Sequence, residues 1–594
     1  MKRNNRIIAI IAVCMALLPP ACKKSFLSQT DTAAATASAT FQKPQQVVAL
    51  VNAIYDTYQS SDLLKKSMWY YANFMTHDWY NWGPDYIWNN YGIGADFYAI
   101  PTFWNNAYIG IARANSALEV IAATRANGVL PAALADRLEG EAYFLRGMTY
   151  YYLAGTFGAV PLELKAETNG LSRRIGQDTV FKQVIADMQL AEGLLLSKTQ
   201  LAATDIGRAT KGAAYAYEGA AHMWLKDYAG ALTAFNNTEL TTNYHLLPQF
   251  VNVGEFDHQN NDESIYEVQF NVYGSQSWDG GWQDGGEEGW IDDFSWPWEI
   301  SGFGYDYGNP GLWYSYQAGD LRRNLTIVGP GDTLQSPGIL AKWGGIKGYA
   351  VTISNFAEAS KVIAGPDSPA ILLARQRYTT GINNIHTPAN TNAIINTCGS
   401  VNYPWYGDDG GRSGYYNAKK WRDPTLTGAN GTSAIFGGQN QILMRYAEVL
   451  LSRAECKIRT GDVNGGLADI KLVRDRAWGG SAPATMQDGL TWDGKPTQPI
   501  TDPLQMVYSE YRHELTAEYS EFYDLRRAGV AQAFVQAAYG TTSNTNPILY
   551  PFGPTADGKT HGVYMTSLPN NKDVLPIPVT AIALNPNLTQ NPSY

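Results

Sequence analysis

Residues 450–477, LLSRAECKIRTGDVNGGLADIKLVRDRA, contain the pattern that decides the fold. The small residues Ala454 and Gly466 lie twelve positions apart, and the large apolar residue Ile470 follows four positions later. The turn Thr460-Gly461-Asp462 separates the two halves. Small side chains at these positions let two antiparallel helices approach closely, so the stretch predicts a helix-turn-helix unit.

A second copy of this pattern lies upstream, around Lys226-Asp227. Gly219 and Ala231 are its small residues, and Phe235 is the large apolar residue that follows. Stacked units of this kind form a tetratricopeptide array, although any helical hairpin also favours small residues at its crossing. Further helical patterns favour the array and lie at 103–123, 131–153 and 180–195.

The start of the chain predicts export and lipid anchoring. Basic residues and an apolar run at 7–18, too short to span a bilayer, precede Cys22. We therefore expect a lipoprotein signal peptide over 1–21, with cleavage before Cys22 and acylation of its thiol. Each buried methylene of the acyl chains stabilises anchoring by about 0.8 kcal/mol. An ordinary secretory signal is the alternative.

The composition argues against nucleic-acid binding and favours carbohydrate binding. A net charge of -10 and a pI near 5.3 argue against a nucleic-acid partner, which requires a basic face. Aromatic residues make up 12% of the chain, with 17 Trp and 38 Tyr, whereas only 16% of the residues are charged. Flat aromatic rings stack on the C–H faces of sugars, so this composition favours carbohydrate binding. Cys398 and Cys456 are too few for a disulfide scaffold, and Cys456 is expected to be a buried free thiol.

The pattern along the chain predicts a mostly α-helical protein with a few short strands. A Ser/Thr/Ala-rich linker at 22–40 follows the signal peptide. We expect one body with three parts: a helical part at 41–242, an irregular, loop-rich ligand-binding part at 243–438, and a helical part with an extended tail at 439–594. No second apolar stretch approaches the length of a membrane span.

Two aromatic clusters are the candidate ligand site. The first contains flat rings and hydrogen-bonding side chains, namely Asp78, Trp79, Asn81, Trp82, Trp88 and Asn89. The second contains five tryptophans among acidic residues with no basic residue, namely Trp278, Trp282, Trp290, Trp296 and Trp298. So many charges prevent all these rings from being buried, so the clusters predict a surface for sugar stacking and hydrogen bonding. For any single tryptophan, packing in the core is the alternative. Trp313, Trp343, Trp405 and Trp421 are further, separate candidates.

An ordered set of motifs resembles the SusD/RagB outer-membrane nutrient-binding lipoproteins. The motifs span nearly the whole chain and are Phe103-Trp104, Gly140-Glu141-Ala142-Tyr143-Phe144-Leu145-Arg146, Gly207-Arg208-Ala209-Thr210-Lys211-Gly212, Arg445-Tyr446-Ala447-Glu448, Arg512-His513-Glu514-Leu515, Phe522-Tyr523-Asp524-Leu525-Arg526-Arg527 and Leu575-Pro576-Ile577-Pro578. The resemblance implies a SusD-like fold with four tetratricopeptide-like units. It also implies a partner, a SusC-like TonB-dependent outer-membrane transporter that the lipoprotein covers as a lid while it delivers an oligo- or polysaccharide.

The helix around Arg512 has a regular charge pattern. Glu510, Glu514 and Glu518 lie four residues apart, with Arg512, Arg526 and Arg527 within reach. Because an apolar stripe occupies another face, we expect structural ion pairs rather than catalysis.

Catalytic motifs are not evident in the sequence. His513-Glu514 lacks the second histidine of a zincin helix, and no nucleophile elbow, phosphate loop or Cys/His metal spacing occurs. The acidic run around Asp284 lacks the ligand spacing of an EF-hand. We therefore predict no cofactor, no metal and no enzymatic activity. Two alternatives remain: the same fold with peptide cargo, as in RagB, and a glycoside hydrolase, which needs only two separated carboxylates.

Overall fold

The computed structural model describes residues 40–81, 84–270, 306–328, 336–338, 341, 416–417, 438–489, 497–539 and 568–594. The predicted signal peptide and lipidated Cys22 lie outside these residues, as does most of the region 243–438. In chain order, helices α1 to α16 span Pro44–Asp56, Trp69–Phe74, Ala99–Ala126, Ala132–Phe157, Gln177–Leu194, Lys211–Trp224, Tyr228–Phe235, Thr238–Asn243, Pro310–Ser315, Arg323–Thr326, Tyr446–Arg459, Val463–Ala477, Pro503–Leu515, Glu521–Ala528, Ala531–Tyr539 and Val579–Leu584. A π-helix at Ser61–Met68 leads into α2.

Short antiparallel strands connect the helices. Strands β1 to β8 span Trp79–Asn81, Val160–Pro161, Arg174–Ile175, Ser264–Val268, Asp306–Gly308, Ile327–Val328, Tyr416–Asn417 and Gln441–Arg445. They form a four-stranded sheet in the order β1-β5-β7-β6 and two pairs, β2-β3 and β4-β8. The mostly α-helical fold with few short strands confirms the fold class predicted from the sequence.

The helices pack as hairpins whose crossings use the predicted small residues. In the α6–α7 hairpin, a Cβ atom on Gly219 would overlap the ring of Phe235. In the α11–α12 hairpin, a Cβ atom on Gly466 would lie 2.5 Å from Ile458 Cγ1 and 2.8 Å from the carbonyl oxygen of Ala454. Glycine is therefore required at both crossings, and the pattern at 450–477 forms the predicted unit.

The two hairpins also share one turn geometry. Lys226 and Gly461 adopt positive φ angles of 58° and 97°, and an aspartate follows each of them. The Asp227 carboxylate accepts a hydrogen bond from Gly230 N at 3.0 Å, and the Asp462 carboxylate accepts one from Gly465 N at 2.9 Å. Each aspartate thus caps the N-terminus of the second helix. The matching turns show that these hairpins are copies of one structural unit.

One buried cluster joins helices that precede residue 243 in the chain to helices that follow residue 438. Tyr217 of α6, Leu450 of α11 and Phe522 of α14 all belong to it, and α11 packs against α7 and α13. The Leu575 and Ile577 side chains of the proline-rich tail are buried in the same core, and Leu575 N donates to Thr156 O at 2.9 Å. None of the helices among the described residues has the length and apolar character needed to cross a bilayer.

Buried ion pairs hold α13 to chain segments that are remote in sequence. Glu514 accepts hydrogen bonds from Arg322 Nη1 at 2.8 Å and Arg445 Nη1 at 2.6 Å, and it also pairs with Arg476. Glu510 accepts from Arg322 Nη1 at 2.5 Å. The predicted structural role of these glutamates is confirmed, but the partners expected from the local sequence were wrong. The glutamates pair instead with Arg322, Arg445 and Arg476, which the tertiary fold brings against the buried helix.

Candidate ligand-binding site

Trp79 and Trp88 of the first aromatic cluster are core residues. Both side chains are fully buried. The Trp79 indole donates from Nε1 to Thr516 Oγ1 at 2.8 Å, and its ring centroid lies 6.3 Å from that of Trp69. The Trp88 ring packs edge-on against Tyr70, with centroids 6.2 Å apart. Neither ring has an exposed face on which a sugar could stack.

The two asparagines of the cluster organise its backbone. Asn89 Nδ2 donates to Phe74 O at 3.1 Å and to Trp79 O at 2.8 Å, while its Oδ1 accepts from Asn81 N at 3.2 Å. Asn81 Oδ1 in turn accepts from Asp85 N at 3.2 Å. These bonds tie Asn81 to Asn89 and to Asp85, so both ends of the segment between Asn81 and Asn89 are fixed.

Asp78 is buried beneath the same loop and pairs with Arg512. The Arg512 guanidinium donates from Nε and Nη2 to the two carboxylate oxygens at 2.7 and 2.6 Å. Burial, followed by the negative charge of Asp78, holds the pKa of the neighbouring Glu521 well above its usual range. Burial and the Asp78 charge therefore both disfavour the ionised form of Glu521.

These positions correct part of the sequence-based prediction. Asp78, Trp79, Asn81, Trp88 and Asn89 were expected to contact a ligand, but all five side chains are buried and bound to protein groups. Ligand contact needs exposed ring faces or polar atoms, so that role does not hold for them. The other predicted ligand residues lie outside the described part of the chain and remain predictions, namely Trp82, Trp278, Trp282, Trp290, Trp296 and Trp298.

The structure brings the anchors of both aromatic clusters together. Strands β1 and β5 pair antiparallel, with Trp79 opposite Gly308 and Asn81 opposite Asp306. Because the strands run in opposite directions, the chain leaving Asn81 toward Trp82 and the chain entering Asp306 from the second cluster meet at the same end of the pair. The anchors lie 225 positions apart in sequence. This convergence defines the candidate site.

A charged cluster lies directly under this end of the sheet. Asn81 Nδ2 donates to Asp306 Oδ1 at 2.7 Å, and Lys66 Nζ lies 2.8 Å from Asp85 Oδ2. Burial, and secondarily the nearby charge of Asp85, raises the pKa of Asp306 to about 8, although the hydrogen bond from Asn81 acts in the opposite direction. Asp306 is therefore largely protonated at neutral pH.

Tyr98 adds an exposed aromatic ring at the same place. Its side chain is 43% exposed, and its hydroxyl donates to Asp85 Oδ1 at 2.5 Å. The Lys66 ammonium lies 4.8 Å from the ring centroid, and the Phe97 ring lies 4.6 Å away. The sequence pattern did not single out Tyr98, because this residue lies outside the tryptophan-rich runs. The signal was present in the aromatic pair Phe97-Tyr98 just before α3.

Of the other tryptophan candidates from the sequence, Trp343, Trp405 and Trp421 lie outside the described residues. Trp313 of α9 is half-buried, and the Arg323 guanidinium lies 4.5 Å from its ring centroid. Because α9 follows the opposite end of β5, Trp313 is not at the end of the strand pair that defines the candidate site.

Within the described ranges no group of three acidic, histidine or cysteine side chains could hold a metal ion. Cys456 is a buried free thiol, as expected, and burial raises its pKa to about 12.

Stacked helical hairpins that carry a small sheet define a tetratricopeptide-like repeat protein. Family models agree with this class and match most of the chain. One, described as the SusD family, matches residues 254–594, and another, described as starch-binding associating with outer membrane, matches residues 9–223. The chain belongs to the SusD family.

Individual relatives cover nearly the full chain at low identity. SusD-like protein P2 of Formosa agariphila is 25% identical over 534 residues, which are 85% of this chain and 83% of the relative. Surface glycan-binding protein A of Bacteroides fluxus superposes with a TM-score of 0.65 at 18% identity, covering 93% of this chain and 99% of its own. Surface glycan-binding protein A of Bacteroides thetaiotaomicron, solved with laminarihexaose, gives 0.62 at 18% identity over 92% and 99%. These structural likenesses establish the fold.

Proposed function

We propose that this protein binds a glycan, without altering it, at the end of the β1-β5 pair. The observation that supports the proposal is the antiparallel pairing of Trp79–Asn81 with Asp306–Gly308, which brings Asn81, the residue before Trp82, beside Asp306, which follows the second aromatic run in sequence. The exposed ring of Tyr98 adds a stacking surface there, and Trp82 and the five tryptophans at 278–298 are the proposed contacts. Membership of the SusD family and the glycan-binding names of two structural relatives support this ligand class.

Stacking and hydrogen bonding suit this site chemically. Aromatic side chains offer broad, rigid faces at low conformational-entropy cost, and the acidic residues between the tryptophans accept hydrogen bonds from sugar hydroxyls. The carboxylates of the described site have structural partners, because Asp85 pairs with Lys66 and Asp78 pairs with Arg512. These pairings, together with membership of the SusD family, favour a binding protein over a hydrolase.

The direct test is a binding measurement with purified protein that starts after Cys22. Isothermal titration against a panel of soluble glycans, including laminarin and starch fragments, should give saturable binding to at least one glycan. Trp82→Ala and Trp282→Ala should weaken this binding, while Trp313→Ala, at the other end of β5, serves as the matched control. Circular dichroism should show unchanged helicity in all three variants.

Two outcomes would redirect the proposal. Retention of a peptide rather than a glycan, in native mass spectrometry of protein purified from its source membrane, would support the alternative cargo. Appearance of new reducing ends during prolonged incubation with the bound glycan would support the hydrolase. Failure of the entire glycan panel together with either result would reject the proposal.

We also propose a location and a partner. The signal at 1–21 and Cys22 support a lipid-anchored protein of the outer membrane, and the family resemblance supports a SusC-like TonB-dependent transporter over which this chain closes as a lid. Co-purification in mild detergent should yield a complex with a barrel protein. Cys22→Ala should release the chain from the membrane fraction, while Cys456→Ala, a buried thiol outside the signal, should leave it there. A membrane-bound Cys22→Ala protein would contradict the lipid anchor.

A further inference from the structure

A cavity of about 480 Å³ lies between α1, β4 and the loop 204–208. Its volume falls in the range of about 300–1,000 Å³ that is typical of small-molecule sites. Asn52 on α1 and Thr204 on the loop line the cavity and are exposed, so it is open to solvent. None of its lining residues belongs to the β1-β5 pair or to the charged cluster beneath that pair, so the cavity is distinct from the candidate glycan site.

The loop that forms the third wall is held in place by a glycine and an arginine. Gly207 has a positive φ of 93°, and a Cβ atom on it would lie 2.5 Å from Gln269 Cδ, so glycine lets the loop pack directly on Gln269. The Arg208 guanidinium donates to Glu141 at 2.8 Å and to Asn52 Oδ1 at 3.0 Å, which ties the loop to α4 and α1. These contacts fix the wall within the protein itself.

The three charged residues that line the cavity already have protein partners. Asp56 pairs with Arg113 at 3.0 Å, and Arg208 pairs with Glu141. Glu267 is buried and accepts hydrogen bonds from two asparagines, at 3.0 and 2.9 Å. An ionic ligand would therefore meet no unpaired charge among these lining residues, and the cost of burying its own charge would not be offset. This arrangement favours a neutral ligand.

Uncharged polar groups in the cavity remain for such a ligand. Asn52 uses its Oδ1 to accept from Arg208, so its Nδ2 group is available as a donor. Gln59 uses its Nε2 group to donate to Gln269 O at 2.8 Å, so its Oε1 is available as an acceptor. A sugar hydroxyl both donates and accepts hydrogen bonds, so these groups suit a polyhydroxylated molecule. The Ile206 side chain, 54% exposed at the same cavity, offers an apolar surface for C–H groups.

A peptide could instead add to β4 as a strand, but side chains of the protein already bond to the backbone there. Lys198 Nζ donates to Ser264 O at 2.8 Å at the start of β4. Gln59 Nε2 donates to Gln269 O just after the end of the strand. Because strand addition needs unpaired backbone groups, these bonds favour a saccharide over a peptide.

We propose that the cavity between α1 and β4 is a second ligand site, which binds a neutral saccharide of one or two rings. The inference goes beyond the proposed function, because this site is built from α1, β4 and the loop 204–208 and does not depend on the β1-β5 end of the sheet.

Saturation-transfer NMR titrations with defined probes test the ligand class. Glucose, galactose, mannose, maltose and laminaribiose are the neutral saccharides, glucuronate and glucosamine are the charged counterparts, and a blocked triglycine is the peptide. Protein that starts after Cys22 should bind at least one neutral saccharide saturably, and it should bind the charged probes more weakly by about tenfold or more. Tighter binding of glucuronate, glucosamine or triglycine would overturn the inference.

Two substitutions test the location of this binding. Ala49 lines the cavity and is exposed on α1, so Ala49→Trp fills the cavity without displacing core side chains and should weaken binding by about tenfold or more. Asn52→Leu removes the amide donor at similar side-chain size and should weaken binding by about three- to tenfold, the effect of one hydrogen bond. Ala122→Trp, at an exposed position of α3 outside the cavity, is the control and should bind as wild type does.

Hydrogen exchange separates this site from the proposed glycan site. The bound saccharide should protect the amides of α1 and of the loop 204–208 and leave those of β1 and β5 unchanged. Protection of β1 and β5 alone would support the proposed function but overturn this inference. Absence of saturable binding for every neutral saccharide of the panel, or wild-type affinity in both Ala49→Trp and Asn52→Leu, would also overturn it.

Discussion

Arg512 and Asp78, which lie 434 positions apart in the chain, form a buried bidentate ion pair with distances of 2.7 and 2.6 Å. The pair fixes the residue before β1 onto helix α13. Asn309 N, just after β5, donates to Asp78 O at 2.7 Å, so the same residue also anchors the neighbouring strand. A side chain expected to bind ligand therefore holds the base of the candidate site to the helical core.

Loss of this pair should destabilise the whole protein. Arg512→Ala leaves the Asp78 carboxylate buried without its main counter-charge, so we expect the free energy of unfolding to fall by about 3–5 kcal/mol in urea titrations. Lys471→Ala is the matched control, because its ion pair with Asp475 is exposed, and it should cost less than about 1 kcal/mol. Similar losses in the two variants would contradict the structural role of the buried pair.

The close helix crossing at Gly466 gives a second prediction. A methyl group there meets Ile458 and the Ala454 carbonyl oxygen, which belongs to the backbone and has little room to move. Gly466→Ala should therefore lower stability by about 1–3 kcal/mol in thermal or urea unfolding. Gly193→Ala in α5, where an added Cβ meets no atom within 4 Å, should instead raise stability by about 0.5–1 kcal/mol. Stabilisation by both alanines would show that the α11–α12 crossing is looser than the structure indicates.

His77 should contribute to acid sensitivity. Burial lowers its pKa from 6.5 to about 4, and its Nε2–H donates to Asn89 O at 3.0 Å. Because the unfolded chain takes up the proton at a higher pH than the folded chain, stability falls as the pH drops from about 6.5 to 4. The free energy of unfolding should fall by about 3 kcal/mol over that pH range.

Substitution of His77 isolates this contribution. The residue has a positive φ of 68°, which asparagine tolerates, so His77→Asn removes the titrating ring with limited backbone strain. Urea unfolding at pH 7 and pH 4.5 should show a smaller acid-induced loss of stability in His77→Asn than in wild type. His258→Asn, on a half-exposed 3₁₀ turn, should leave the loss unchanged. An identical loss in wild type and His77→Asn would contradict the assignment.

Tyr98 provides the prediction that bears most directly on ligand binding. Because its ring is exposed beside the anchored segments, Tyr98→Ala should reduce glycan affinity by about tenfold or less, the range of one aromatic contact. Tyr98→Phe keeps the ring face and loses only the hydrogen bond to Asp85, so it should retain most of the affinity. Titration calorimetry distinguishes the two variants. If Tyr98→Ala binds the glycan with wild-type affinity, the stacking surface lies elsewhere.

Local sequence was sufficient for the helical hairpins. The hairpin patterns depend on contacts between residues that are close in sequence, such as Gly219 with Phe235 and Gly466 with Ile470. The capping aspartates Asp227 and Asp462 lie in the same stretches. The ordered motifs along the chain also indicated the family. These features depend on propensity, helical periodicity and capping, which a linear chain expresses directly.

The sequence by itself thus determined the helical-repeat class, the family and the presence of aromatic segments suited to sugars. Only the tertiary structure decided which side chains stay exposed: it buried Trp79 and Trp88, exposed Tyr98, and paired Asn81 with Asp306 across 225 positions. The physical reason is that burial and ion pairing depend on which remote segments fill the space around a side chain. Arg512 pairs with Asp78, which precedes β1, rather than with its neighbouring glutamates, because the tertiary fold brings Asp78 beside helix α13.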